Sequence, residues 1–177
     1  MENTIQLHDK KFRIMIPAEQ IDKAVDAVAQ RINADYAGKE TPLFLGILNG
    51  SFMFMSDLIK KIEFQNELSF VKLASYDGTC STGCVKSLIG LNNPIEGRHV
   101  IIVEDIVDTG HSMDFLYRQF QARGARSLRL AVLVDKNERR EVPVTSHFVG
   151  FTLPSGFVVG DGLDYAESYR ELPAIYE

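Results

Sequence analysis

The chain has 177 residues, 45% hydrophobic and 24% charged, with a formal net charge of −5. That length and balance suit one globular domain over residues 1–177 with a real core. The acidic balance argues against a nucleic-acid partner, and no apolar run approaches the roughly 20 residues of a membrane helix.

Residues 17–37 read as a helix: Pro17 suits a first turn, and Ile21, Val25, Val28 and Ile32 fall on one face. Residues 43–48 are continuously apolar, as in a buried parallel strand, and end in the turn signal Asn49-Gly50-Ser51. A helix over 52–62 and a strand over 68–75 follow. Residues 76–83 are polar and rich in Asp, Gly, Ser and Thr, which predicts a loop. Its Cys80, with Cys84 beyond, makes too few cysteines for a disulfide scaffold and half a metal site at best. With an N-terminus unlike a signal peptide, they read as reduced thiols of a cytoplasmic protein. A strand over 86–91 leaves the loop, and another occupies 99–103. Met113, Leu116, Tyr117 and Phe120 mark a helix that Gly124 stops. Strands over 128–134 and 147–153 complete the pattern. The alternation implies an α/β fold with a mainly parallel sheet, whose ligands sit at the carboxyl ends of the strands.

Three turns fall at that edge, and the one after Val103 carries the strongest signal. Four apolar residues run into Glu104 and Asp105. A buried strand does not carry two adjacent carboxylates inward without a large desolvation cost, so they are expected at the strand's end. There they can accept hydrogen bonds from vicinal hydroxyls or hold Mg²⁺, a hard cation. Asp108-Thr109-Gly110-His111-Ser112 follows directly before a helix. A Gly turn into a helix N-terminus suits a phosphate, and the Walker A spacing and Lys are missing.

The run Glu104-Asp105-Ile106-Val107-Asp108-Thr109-Gly110 resembles the 5-phosphoribosyl-1-pyrophosphate (PRPP) motif of type I phosphoribosyltransferases, in particular the hypoxanthine–guanine branch. The resemblance runs from about Leu43 to Leu172 and implies the type I phosphoribosyltransferase fold: a mainly parallel sheet flanked by helices, with a small hood from the terminal segments over the carboxyl edge. It implies purine salvage, with phosphoribosyl transferred from PRPP to hypoxanthine or guanine to give IMP or GMP and pyrophosphate. Glu104 and Asp105 would hold the ribose hydroxyls, and Thr109, Gly110, His111 and Ser112 the 5′-phosphate. Asp108 would be the general base or acid at purine N7, a role that suits a carboxylate. His111 and Ser112 depart from the family's Lys and Thr.

By the same resemblance Asn49, Gly50 and Ser51 bind pyrophosphate in a loop with a cis peptide, Asn49 replacing a Lys, and Arg170 assists them. Ser75 and Tyr76 begin a long loop that closes over the ribosyl cation and excludes water. The resemblance implies that Lys136 would donate to the 6-oxygen of the purine, that Phe157 would stack on it, and that Val158 and Asp164 would read its remaining edge. Mg²⁺ would be held by Glu104, Asp105 and Asp164. Some proteins keep this fold as regulators that bind RNA or DNA; the net charge and single-domain length weigh against that alternative. The choice among hypoxanthine, guanine and xanthine stays open, as does homodimer against homotetramer.

Overall fold

A computed structural model describes residues 4–76 and 85–177, with side chains for all of them except 74–76 and 85–87. The elements are β1 (Thr4–Leu7), β2 (Lys10–Ile16), α1 (Ala18–Tyr36), β3 (Leu43–Leu48), α2 (Phe52–Ile59), β4 (Glu67–Tyr76), β5 (Val85–Ile89), β6 (His99–Val107), α3 (His111–Ala122), β7 (Ser127–Lys136), β8 (Phe148–Leu153) and β9 (Ile175–Tyr176). A 3-10 turn, Asn137–Arg139, follows β7. Tyr76, predicted to begin the polar loop, is instead the last residue of β4, paired with Val85; residues 77–83 of that loop, and both cysteines, lie outside the described residues.

Six strands form one sheet in the order β5-β4-β3-β6-β7-β8. Every pair is parallel except β4–β5. Successive side chains of a strand point to opposite faces, so a sheet covered on both faces needs apolar residues at every position. Strand β6 obeys this: Ile101 and Val103 pack into the core that α1 and α2 cover, and Val100 and Ile102 into the core under α3. Helix α1 presents Ile21, Val25, Val28 and Ile32 to the sheet, all buried, with Pro17 as its cap rather than inside its first turn. Among the described residues no helix is long and apolar enough to cross a membrane.

The terminal segments meet in a second sheet, β1-β2-β9, with its own small core of Leu7, Phe12, Val159, Ala174 and Tyr176. Residues 1–40 carry no separate sequence signal for this hairpin. It is stabilised by a pairing partner some 160 residues away, Ile14 against Tyr176. This is the hood that the resemblance implied.

Candidate active site

Strand β6 does not stop at Val103. It stays paired with β7 as far as Val107 opposite Asp135, while its ladder with β3 ends at Val103 opposite Gly46. The acidic pair therefore lies within a strand, against expectation, but past the point where the β6 ladder with β3 ends. Glu104 and Asp105 are 9% and 7% exposed. The Asp105 amide donates to Glu104 Oε1 at 3.1 Å, and the Ile106 amide to Asp105 Oδ1 at 2.8 Å. Burial, and then the charge of Asp105, push the Glu104 carboxyl well above the usual carboxylate range.

The turn after β3 packs against the acidic pair. Its Leu48–Asn49 peptide is cis. Gly50 lies so close to the Asp105 carboxylate that a Cβ there would overlap it, and the Gly50 carbonyl in turn abuts Gly162. Ser51 caps α2 and is fully buried, its Oγ without a hydrogen-bond partner among the described residues.

Beyond β6, Gly110 caps α3 with a left-handed φ of 94°. A side chain there would meet the Val142 carbonyl at 2.6 Å, so close packing as well as conformation requires glycine. Helix N-terminal amides point out of the first turn, the arrangement that favours an anion. They face a cavity of about 270 Å³ lined by Glu104, Asp105, Asp108, Thr109, Gly110 and Ser112. His111 turns instead to Glu141, Nε2 to Oε2 at 2.8 Å, with both side chains exposed.

A second cavity of about 460 Å³ adjoins the first and shares Asp105, Ile106 and Asp108 with it. Lys136 lines it from within β7, which runs two residues further than the apolar pattern predicted. Lys136 is 5% exposed, and its ammonium donates to the Gly156 carbonyl; burial pushes its pKa down, and the Asp108 charge opposes this. Phe157 lines the cavity half exposed, edge-on to Tyr165 at 5.3 Å. Val158 is buried beside it. Asp164 accepts from Arg170 Nη2 at 3.1 Å and from the Glu167 amide at 2.9 Å. Arg170 Nη1 also donates to the Gly162 carbonyl at 2.7 Å, which sets this guanidinium one residue behind the Asn49–Gly50 turn.

Three site residues carry no local sequence signal. Arg139 and Arg140 follow Lys136 as an ordinary basic pair. Yet Arg139 Nε stands 3.4 Å from Asp108 Oδ1, and Arg140 Nε donates to the Asp108 carbonyl at 3.2 Å while its Nη2 pairs with Asp135. Asp161 is 4% exposed at a φ of 49°, its Oδ2 without a hydrogen-bond partner among the described residues. Burial, then the charges of Asp57 and Asp105, raise its carboxyl to about 6. A larger cavity of about 540 Å³, between α3 and the start of β7, is lined in part by Arg118 and Arg126. Both are already paired, with Asp114 and Glu40, and no residue of the acidic pair or of the turn 108–112 lines it.

Among the described residues no three His, Cys, Asp or Glu side chains converge to hold a metal. Glu104, Asp105 and Asp164 thus form no preformed cage. Mg²⁺ rarely needs one: it takes one or two carboxylates, waters and substrate phosphates. Adjacent buried carboxylates, one pushed strongly toward its neutral form, are a donor set that suits such a cation.

Residues 17–166 match the phosphoribosyl transferase domain family. The chain is 41% identical over 164 residues to the hypoxanthine-guanine phosphoribosyltransferase of Streptococcus pneumoniae, covering 92% of this chain and 91% of that protein. It is 39% identical over 170 residues to the bifunctional protein TilS/HprT of Listeria innocua, of whose length it spans only 26%. Among solved structures it resembles a hypoxanthine-guanine phosphoribosyltransferase from Bacillus anthracis, with a TM-score of 0.82, 36% identity and coverage of 93% of this chain and 95% of that one. A Trypanosoma cruzi hypoxanthine phosphoribosyltransferase variant in ternary complex with substrates superposes with a TM-score of 0.85, at 38% identity over 92% of each chain. The chain belongs to the phosphoribosyltransferase family, in its hypoxanthine–guanine branch.

Proposed function

We propose that the protein is a purine salvage enzyme. It transfers the 5-phosphoribosyl group of PRPP to hypoxanthine or guanine and releases pyrophosphate with IMP or GMP. The observation that carries this is the shared wall of the two cavities. A pocket suited to a sugar phosphate and a pocket suited to a planar base meet at Asp105, Ile106 and Asp108, where a bond between sugar and base would form.

In this reading the 5′-phosphate lies against Thr109, Gly110 and Ser112, and the ribose hydroxyls donate to Glu104 and Asp105. Asn49, Gly50 and Ser51 hold the pyrophosphate, with Arg170 behind them. The purine enters between Phe157 and Lys136, with Val158 and Asp164 at its far edge. Purine N9 attacks the anomeric carbon as its bond to pyrophosphate breaks, through an oxocarbenium-like state. The proton on N7 passes to Asp108. Lys136 donates to the 6-oxygen of the base; adenine carries a donor there and is disfavoured. Glu104, Asp105 and Asp164 would hold Mg²⁺, which would supply charge neutralisation for the leaving pyrophosphate. A homodimer or homotetramer in the cytoplasm belongs to the same reading, on the family resemblance alone.

The test is direct. The protein is incubated with PRPP, Mg²⁺ and each of hypoxanthine, guanine, xanthine and adenine, and the nucleotide formed is measured. IMP and GMP are expected, with no AMP. No product from any base would sink the reading, and XMP as the main product would reassign the base.

A further inference from the structure

Asp108 is gripped at both ends by consecutive arginines. Arg140 Nε holds its carbonyl at 3.2 Å, and Arg139 Nε faces its carboxylate at 3.4 Å. Apart from Arg139, Oδ1 has no partner among the described residues. Both arginines belong to one stretch, residues 139–144, that underlies the phosphate turn. The amides of Glu141 and Val142 donate to the Thr109 carbonyl at 2.9 and 3.1 Å. The Val142 carbonyl, Arg140 Cδ and Val144 Cγ2 crowd the bare face of Gly110. Arg140 also donates to the Val144 carbonyl at 3.1 Å and pairs with Asp135, so its charge is already matched inside the scaffold. The 3-10 turn is closed by the Arg140 amide on the Asn137 carbonyl at 3.2 Å, which fixes where Arg139 emerges.

The two arginines thus have different surroundings. Arg140 is scaffold. Arg139 is half exposed, lines the cavity suited to the base, and does not line the one suited to the phosphate. Its separation from Asp108 exceeds a normal N–H···O hydrogen bond, and an exposed ion pair of that kind contributes little to stability. What it can do is hold one carboxylate oxygen and so aim the other.

We propose that Arg139 is a positioning residue for Asp108: by engaging Oδ1 it turns Oδ2 toward N7 of the incoming purine. The inference rests on the reading of Asp108 as proton acceptor. A carboxylate misplaced by about an ångström forfeits much of its catalytic effect, so orientation is felt in turnover rather than in binding.

The experiment compares Arg139→Ala and Arg139→Lys, each with Asp108 intact and in an Asp108→Asn background. It measures kcat, KM for hypoxanthine, and PRPP affinity by calorimetry with Mg²⁺. Arg139→Ala is expected to lower kcat roughly 10-fold, with PRPP affinity and melting temperature unchanged. Arg139→Lys, which keeps a cation, should restore most of the loss. In the Asp108→Asn background the further effect of Arg139→Ala should be about two-fold or less, because no carboxylate remains to aim. An unchanged kcat in Arg139→Ala, or an equal loss in both backgrounds, overturns the proposal while leaving the function intact. Full turnover by Asp108→Asn alone removes Asp108 from the mechanism, and Arg139 with it.

Discussion

The Asp105 carboxylate occupies the space that a side chain on Gly50 would need. Two turns from different strands, one proposed to hold pyrophosphate and one ribose, are thereby packed into one surface. Gly50→Ala forces one of them to move. We expect PRPP affinity to fall by the equivalent of roughly 1–3 kcal/mol, the usual cost of overpacking a tight contact. Calorimetric titration with PRPP and Mg²⁺ checks this, and unaltered affinity would mean that the two turns move independently.

Asp108 lies where the two cavities meet. Replacing it with Asn keeps its size and removes proton acceptance. Asp108→Asn should bind PRPP normally and lose roughly 10²- to 10⁴-fold in kcat, the range for a general acid or base. Steady-state kinetics beside direct binding separates the two effects.

The buried carboxyl of Asp161 makes stability depend on pH. Its folded value of about 6 lies above the ordinary 3.8, so the protonated form is the one the fold favours. The stability linked to this group is complete below about pH 4 and is lost as pH rises through about 6. Asp161→Asn removes the buried charge and tolerates the same left-handed backbone. It should match the parent near pH 4 and exceed it above about pH 7 by on the order of 1–3 kcal/mol. Denaturant melts at a series of pH values measure the difference; a constant offset across pH would contradict the account.

Asn49 brings no positive charge to the proposed pyrophosphate site, and the exposed side chain of His111 pairs with Glu141. Asn49→Lys should lower the KM for pyrophosphate in the reverse reaction by roughly five-fold, as about 1 kcal/mol of partly screened attraction implies. An unchanged KM would show that Arg170 or bound Mg²⁺ already supplies the charge.

Strand β3, the reach of the apolar stripe on α1 and the start of α3 are legible because each is a local pattern: a run, a period, a capping glycine. The acidic pair is legible for the same reason, since two carboxylates after four apolar residues demand water or a ligand nearby. The inference that β6 ends there fails. A strand has two edges, and the β7 edge stays paired after the β3 edge is abandoned. Phe157, Asp164 and Arg170 were reached through resemblance, since a lone Phe or Arg has no distinguishing local chemistry.

By itself the sequence determined the α/β alternation and the glycine turn at Asp108–Ser112 that opens a helix, because these depend on contiguous residues and their short-range preferences; the branch of the family was reached through resemblance. Only the tertiary structure decided that Arg139 faces Asp108, that Asp161 is buried near the charges of Asp57 and Asp105, and that β9 closes the hood on β2. Those relationships join residues tens to more than a hundred positions apart. Their energies, whether repulsion, desolvation or close packing, exist only once the chain has brought the groups together.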